Sequence, residues 1–126
     1  MSAPPPPSVP PTVTDLLAAN LHEVFGNRDA SSRRAAIERI YTEDVAFADP
    51  EGVTTGWDAI EDKARALLDK APPGSAFTED GPPYVGTDRG ALAWAFGLEG
   101  NPLARGVDVI TVRGGRIADV LTLLTA

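Results

Sequence analysis

Val107-Asp108-Val109-Ile110-Thr111-Val112-Arg113-Gly114-Gly115-Arg116-Ile117 is the stretch that decides the fold. Two runs rich in β-branched and aliphatic residues, Val107 to Val112 and Ile117 to Leu124, flank a pair of adjacent glycines. Those glycines supply the positive φ that a tight hairpin turn requires, so the spacing predicts an antiparallel pair of strands. Just upstream, Leu92, Trp94, Phe96 and Leu98 alternate with Ala91, Ala93, Ala95 and Gly97. A period of two with one bulky and one nearly bare face predicts another strand, and the bare side lets a helix or ligand come close to the sheet. Phe77 to Tyr84 is a weaker strand, because Pro82-Pro83 has no ladder donors to offer. It belongs at a sheet edge or breaks in two.

Toward the N-terminus the period changes to that of a helix. Thr14-Asp15 opens a helix carrying Leu17, Leu21, Val24 and Phe25 on one face, and Gly26-Asn27 ends it. Asp29 to Ser32 offers capping oxygens for a second helix with the stripe Ile37, Ile40 and Tyr41, while Arg28, Arg33, Arg34 and Arg39 are read as a hydrated face. Val45-Ala46-Phe47 is a short strand. Thr55 with Asp58 reads as a capping box before a third helix, buried through Trp57, Ile60, Ala64, Leu67, Leu68 and Ala71 and stopped by Pro72-Pro73-Gly74. Helix, helix, strand, helix and then an antiparallel meander is an α+β order, with helices packed on one side of a sheet. Residues 1–13 hold six of the twelve prolines and read as a flexible tail, leaving 14–126 as one domain. No basic residue flanks the prolines, so a solvated leader is favoured over a ligand for an SH3-type domain.

Composition excludes several classes of function. Eighteen acidic residues against eleven basic ones give a net charge of -7 with no Lys/Arg cluster, which disfavours a nucleic-acid partner. There is no cysteine and one histidine, His22, without a ligand cluster, so thiol chemistry and the usual zinc sites are excluded and no metal is expected. The apolar runs are too short to span a bilayer and no secretory signal is visible, so a cytoplasmic protein with no membrane partner is expected.

Asp49 is the residue that points to chemistry. Alternation along Val45-Ala46-Phe47 puts it on the face that must be buried, at the start of the turn Asp49-Pro50-Glu51-Gly52. A carboxylate with apolar neighbours resists ionising and can exchange a proton near neutral pH. An Asp-Pro turn also favours aspartate for its capping oxygen alone, so both roles are open. His22 reads as an exposed helix residue.

The element order, Ala48-Asp49-Pro50-Glu51-Gly52, the helix start Gly56-Trp57-Asp58-Ala59-Ile60 and the terminal hairpin together resemble the nuclear transport factor 2-like superfamily, in its SnoaL-like and ketosteroid isomerase-like branch. The resemblance covers about residues 14–124. It implies a curved antiparallel or mixed sheet wrapped by three helices into a cone, an apolar pocket at the open end, and dimerisation through the outer sheet face. It makes Asp49 the general base and Asp108 the neutral acid that hydrogen-bonds a substrate oxyanion, the division of labour known for ketosteroid isomerase. Asp108 shares a strand face with Ile110 and Val112, which suits that role, although pairing with Arg105, Arg113 or Arg116 is the alternative. Leu21, Phe25, Phe47, Trp57, Trp94, Phe96 and Ile110 are expected to line the pocket. The chain departs from the family at its oxyanion tyrosine, whose place falls on or beside Leu21. Tyr41, Tyr84, Trp57 and Trp94 are the donors that could replace it.

The expected function is thus a cofactor-independent isomerase or polyketide-type cyclase acting on an apolar carbonyl compound, in a homodimer. Two alternatives stand beside it: a non-catalytic module that binds an apolar ligand or a second chain, and a limonene-type epoxide hydrolase using Arg105 or Arg65.

Overall fold

The computed structural model describes residues 10–125. The proline-rich residues 1–9 and Ala126 lie outside that range. Helix α1 spans Val13–Ala19 and runs directly into a π-helical turn, Asn20–Phe25; α2 is Ala30–Ile40 and α3 is Trp57–Lys70. The strands are β1 Tyr41–Asp49, β2 Gly52–Thr55, β3 Ala76–Glu79, β4 Tyr84–Val85, β5 Arg89–Leu98, β6 Asn101–Arg113 and β7 Arg116–Leu124.

Several boundaries differ from those read in the sequence, each for a local reason. The first helix starts earlier than Thr14, because Thr12 and Asp15 form a reciprocal capping box around Val13. Val13 therefore belongs to the helix, not to the tail. Helix α2 is capped by Asp29 as expected, but it stops at Ile40, and Tyr41 is the first residue of β1. Its β-region backbone takes it out of the helical stripe and turns its ring into the core. Gly56, not Thr55, caps α3, with φ 94° and no side-chain cap bond.

The seven strands form one mixed sheet in the order β2-β1-β7-β6-β5-β3, with β4 pairing β5 beside β3. Only β1 and β7 run parallel; every other pair is antiparallel. Pro82-Pro83 divides the weak strand into β3 and β4, both on the sheet edge. Gly114 and Gly115 turn the β6–β7 hairpin with φ 61° and 78°.

Register defines two faces. Gly90–Ile110–Val120–Phe47, Leu92–Asp108–Thr122 and Trp94–Gly106–Leu124 are inner rows, covered by the helices. Ala91–Val109–Leu121 and Ala93–Val107–Leu123 are outer rows. Bulges between Tyr41 and Ala46 against β7, Phe96 and Gly97 against β6, and Thr111 and Val112 against β7 bend the sheet around its inner face. The core is continuous from Leu16, Leu17 and Leu21 through Ile37, Ile60 and Ala64 to Val45, Ile110, Ile117 and Val120. Among the described residues no helix is long and apolar enough to cross a membrane.

The cationic face of α2 is less hydrated than its charge suggests. Arg33 is 3% exposed, donates in a fork to both Glu61 carboxylate oxygens at 3.0 and 3.2 Å, and reaches the Asn27 carbonyl. Arg28 donates to the carbonyls of Leu68 and Ser75, fastening the end of α3. Arg34 and Arg39 stay at the surface, paired with Glu38 and Asp58, and with Glu23.

Candidate functional site

A cavity of about 600 Å³ opens between the concave face of the sheet and α3. One wall stacks Phe25 on Phe47, with centroids 5.4 Å apart; another sets Phe77 edge-on to Trp94 at 5.2 Å. Leu21, Leu67 and Leu124 complete the apolar lining, and Glu51, Asp62, Lys63 and Lys70 contribute polar groups to the same wall. Such a mostly apolar hollow with few polar groups is the usual form of a small-molecule site.

Asp49 and Asp108 both line it. The β1–β7 register pairs Ala48 with Leu121; one step further, Asp49 lies alongside Thr122, which pairs with Asp108. The two acids thus share one inner row, two strand spacings or about 10 Å apart at their α-carbons. Asp49 has a side chain 13% exposed. Its Oδ1 accepts from the Glu51 backbone N–H at 2.9 Å, the capping bond expected of an Asp-Pro turn, and its Oδ2 accepts from Lys63 Nζ at 2.9 Å. That carboxylate holds the Lys63 ammonium above its ordinary value.

Asp108 is 6% exposed and pairs with none of Arg105, Arg113 or Arg116 among its described contacts. Arg113 instead bonds Asp44, and Arg105 lies in the outer-face registry opposite Ala95. Asp108 Oδ2 accepts from Asn20 Nδ2 at 2.9 Å and Oδ1 accepts from the Thr122 hydroxyl at 2.8 Å. Burial pushes its carboxyl above the ordinary 3.8; the Thr122, Trp94 and Asn20 donors offset part of that rise. Trp94 Nε1 is close enough to favour the ionised carboxylate, but among the described residues it makes no hydrogen bond of ordinary geometry.

Of the residues expected to line the pocket, Leu21, Phe25, Phe47 and Trp94 do so. Trp57, Phe96 and Ile110 do not. Trp57 sits at the start of α3 and donates to the Tyr41 carbonyl; Phe96 is core beneath Phe77, 4.4 Å between centroids; Ile110 is fully buried. Ile110 and Phe96 lie on the inner face in the rows on either side of the Asp108 and Trp94 rows that the cavity reaches. His22 is exposed and bonds Glu79 at 2.9 Å. Arg65 pairs with Asp62 at the surface, and among the described residues neither it nor Arg105 lines the cavity. Among the described residues no three His, Asp or Glu side chains gather as metal ligands.

Sequence reasoning missed Asn20, Thr122 and Lys63. Asn20 is fully buried in the π-helical turn, where four of six residues face inward. A polar residue three after Leu17 on an otherwise apolar helix stripe was the available signal. Thr122 shares the inner rows of β7 with Val120, and Lys63 is one residue before the buried Ala64 of α3.

The model of the SnoaL-like domain matches residues 18–120. The chain belongs to the SnoaL-like domain family. It shares the nuclear transport factor 2-like α+β cone with solved structures. A provisionally assigned isomerase of the SnoaL-like family from Agrobacterium tumefaciens is 24% identical, with a TM-score of 0.79 over 88% of this chain and 95% of that one. A provisionally assigned ketosteroid isomerase from Kribbella flavida is 16% identical, TM-score 0.64, over 88% and 78%. A provisionally assigned polyketide cyclase from Sinorhizobium meliloti is 16% identical, TM-score 0.63, over 87% and 92%. Identities this low carry the fold and no more. No curated protein matches this SnoaL-like domain in sequence.

Proposed function

We propose that this SnoaL-like domain is a cofactor-independent isomerase or cyclase that moves a proton on an apolar carbonyl compound. The observation that carries the reading is that two acids, Asp49 and the buried Asp108, line one aromatic-walled cavity of about 600 Å³. Asp49 takes a proton from the carbon next to the carbonyl; the electron pair moves onto oxygen, and the carboxyl proton of Asp108 hydrogen-bonds that oxygen. Asp49 then returns its proton to the distal carbon of an unsaturated substrate, completing an isomerisation, or the enolate carbon attacks a second carbonyl, whose oxygen takes the proton back from Asp49 as the ring closes. Each Asp49 oxygen accepts one bond in the resting protein and keeps a second lone pair for the substrate proton. Lys63 holds that carboxylate against the wall.

A β,γ-unsaturated bicyclic ketone tests the reading through the ultraviolet absorbance of the conjugated product. Turnover is expected in the wild type and a loss of about 10²–10⁴-fold in Asp49→Asn, the usual worth of a positioned base. Equal rates in the two proteins defeat it. The double fastening of Asp49 supports a second reading, a carrier that binds apolar compounds without turning them over. Tight binding with no turnover across enone and polyketide-like ligands would select that carrier.

We further propose that the domain works as a homodimer through its outer sheet face. The support is the row of small and aliphatic residues there, with Leu121 39% and Leu123 51% exposed.

A further inference from the structure

Four side chains from four elements are joined end to end behind the cavity wall. Tyr41 from β1 donates its phenol hydrogen to Asn20 Oδ1; Asn20 Nδ2 donates to Asp108 Oδ2; Thr122 from β7 donates to Asp108 Oδ1. Tyr41 and Asn20 are fully buried, so neither can exchange its partner for water.

The chain has a direction. A carboxamide whose oxygen is occupied by a phenol donor presents its NH₂ to the opposite side. That NH₂ faces Oδ2, and a donor cannot face an oxygen that itself carries a proton along the same line. The reversed amide would place Asn20 Oδ1 against Asp108 Oδ2 and would need the carboxyl proton on Oδ2, turned away from Thr122. Burial pushes the Tyr41 phenol far above its ordinary value, with the Asp108 charge adding to the effect, so it remains a hydrogen donor at any working pH.

We propose that Asn20, oriented by Tyr41, is a positioning residue that reserves Asp108 Oδ2 as an acceptor and so confines the carboxyl proton to Oδ1, the oxygen beside Thr122 at the cavity wall. The inference rests on the reading of Asp108 as the acid of this site and adds how that acid is aimed. An acid held from behind on one oxygen presents its proton to a substrate oxygen in one orientation, which is preorganisation by a residue that touches no substrate. Thr122 serves both states of the resting site: its hydroxyl donates to the ionised carboxylate and rotates to accept from protonated Oδ1, a bond that a substrate oxygen takes over on binding.

The other groups around Asp108 are few. The Tyr41 phenol comes from β1 and the Trp94 N–H from β5. The Asp49–Lys63 pair lines the same cavity, together with Glu51, Asp62 and Lys70. His22 and Glu23 of the π-helical turn point outward, bonded to Glu79 and Arg39.

The test reads Asp108 directly, by carbon NMR of protein labelled at aspartate carboxyls, with the signal assigned by its loss in Asp108→Asn. Wild-type Asp108 is expected to titrate above 3.8. Asn20→Leu removes a donor that favours the ionised form, so the titration moves up by about one pH unit, the worth of one hydrogen bond to a charged group. Tyr41→Phe frees the amide to reverse and moves it in the same direction by less. It keeps the ring that fills the core, so it carries the test alone if Asn20→Leu does not fold. With the ketone, both variants are expected to lose about tenfold in kcat with little change in KM. An Asp108 titration unmoved in the folded variants overturns the proposal. The NMR measurement contains no substrate, so that result is distinct from a failure of turnover, which strikes the functional reading instead.

Discussion

Asp108 is transferred on folding from water to an inner sheet row between Gly106 and Ile110, and the cost of that transfer depends on pH. Its folded value lies above the 3.8 it has when exposed, so between the two values the folded chain binds more protons than the unfolded chain. Stability contributed by this group is therefore present below 3.8 and declines as pH rises through the folded value. Asp108→Asn removes the titration. The variant is expected to gain stability relative to wild type as pH increases from below 3.8 to neutrality, measured by urea unfolding at both ends of that range. A difference that is constant with pH would contradict the expectation. Asp29, held low chiefly by the Ser32 backbone N–H, and Asp44, held low by Thr42 and Arg113, act with the opposite sign and lose their contribution on acidification. Both occur in either protein and cancel in the comparison. At this scale Asp49 was legible from strand alternation, which fixes which way a side chain points, whereas Asp108 came from the family resemblance, with its strand face beside Ile110 only in support. Arg33 was not, because helical spacing alone does not distinguish a solvated charge from one that folds back onto Glu61 of another helix.

At the level of elements, β6 shows how a missing side chain makes room for the site. Gly106 pairs with Trp94, and a β-carbon at Gly106 would stand 2.5 Å from the Leu123 carbonyl oxygen and 2.7 Å from the Trp94 ring. The indole lies across the glycine and forms cavity wall on its other side. Gly106→Ala is expected to cost about 1–3 kcal/mol by overpacking, and to push the indole into the cavity so that an apolar fluorescent probe binds more weakly. Unchanged urea midpoint and unchanged probe affinity would show that the space is not needed. Gly97 serves a different end: it lies at the bulge that bends β5 against β6, with φ 149°, and a β-carbon there would stand 2.6 Å from the Leu103 backbone N. Element order and most strands were legible, since hydrophobic period separates the helical half from the meander; β2, Gly52–Thr55, was not, because its four residues carry no apolar alternation. The π-helical turn was not: its inward face depends on how α1 meets the sheet, and it brings Asn20 and Leu21 to the core together. The depth of the cavity was equally hidden, which is why Phe96 and Ile110 were placed on its lining.

For the whole molecule, the helices cover one side of the sheet, and among the described residues the other side is left open. Its outer rows combine alanines of β5 with Val107 and Val109 of β6 and Leu121 and Leu123 of β7. Leu123→Glu is expected to turn a dimer into a monomer in sedimentation or light scattering while the fold persists, because a charge at the centre of an apolar contact is left unpaired. A wild-type protein that sediments as a monomer at every concentration would rule that contact out. The sheet order carries one more consequence. β7, the last of the described strands in chain order, lies between β1 and β6, and β1 and β2 join the meander through it. While the ribosome is still adding these residues, the first hairpin has no neighbour to pair with, so a nascent or prematurely terminated chain exposes two unpaired edges at once. Deleting β7, Arg116–Leu124, should therefore produce insoluble protein.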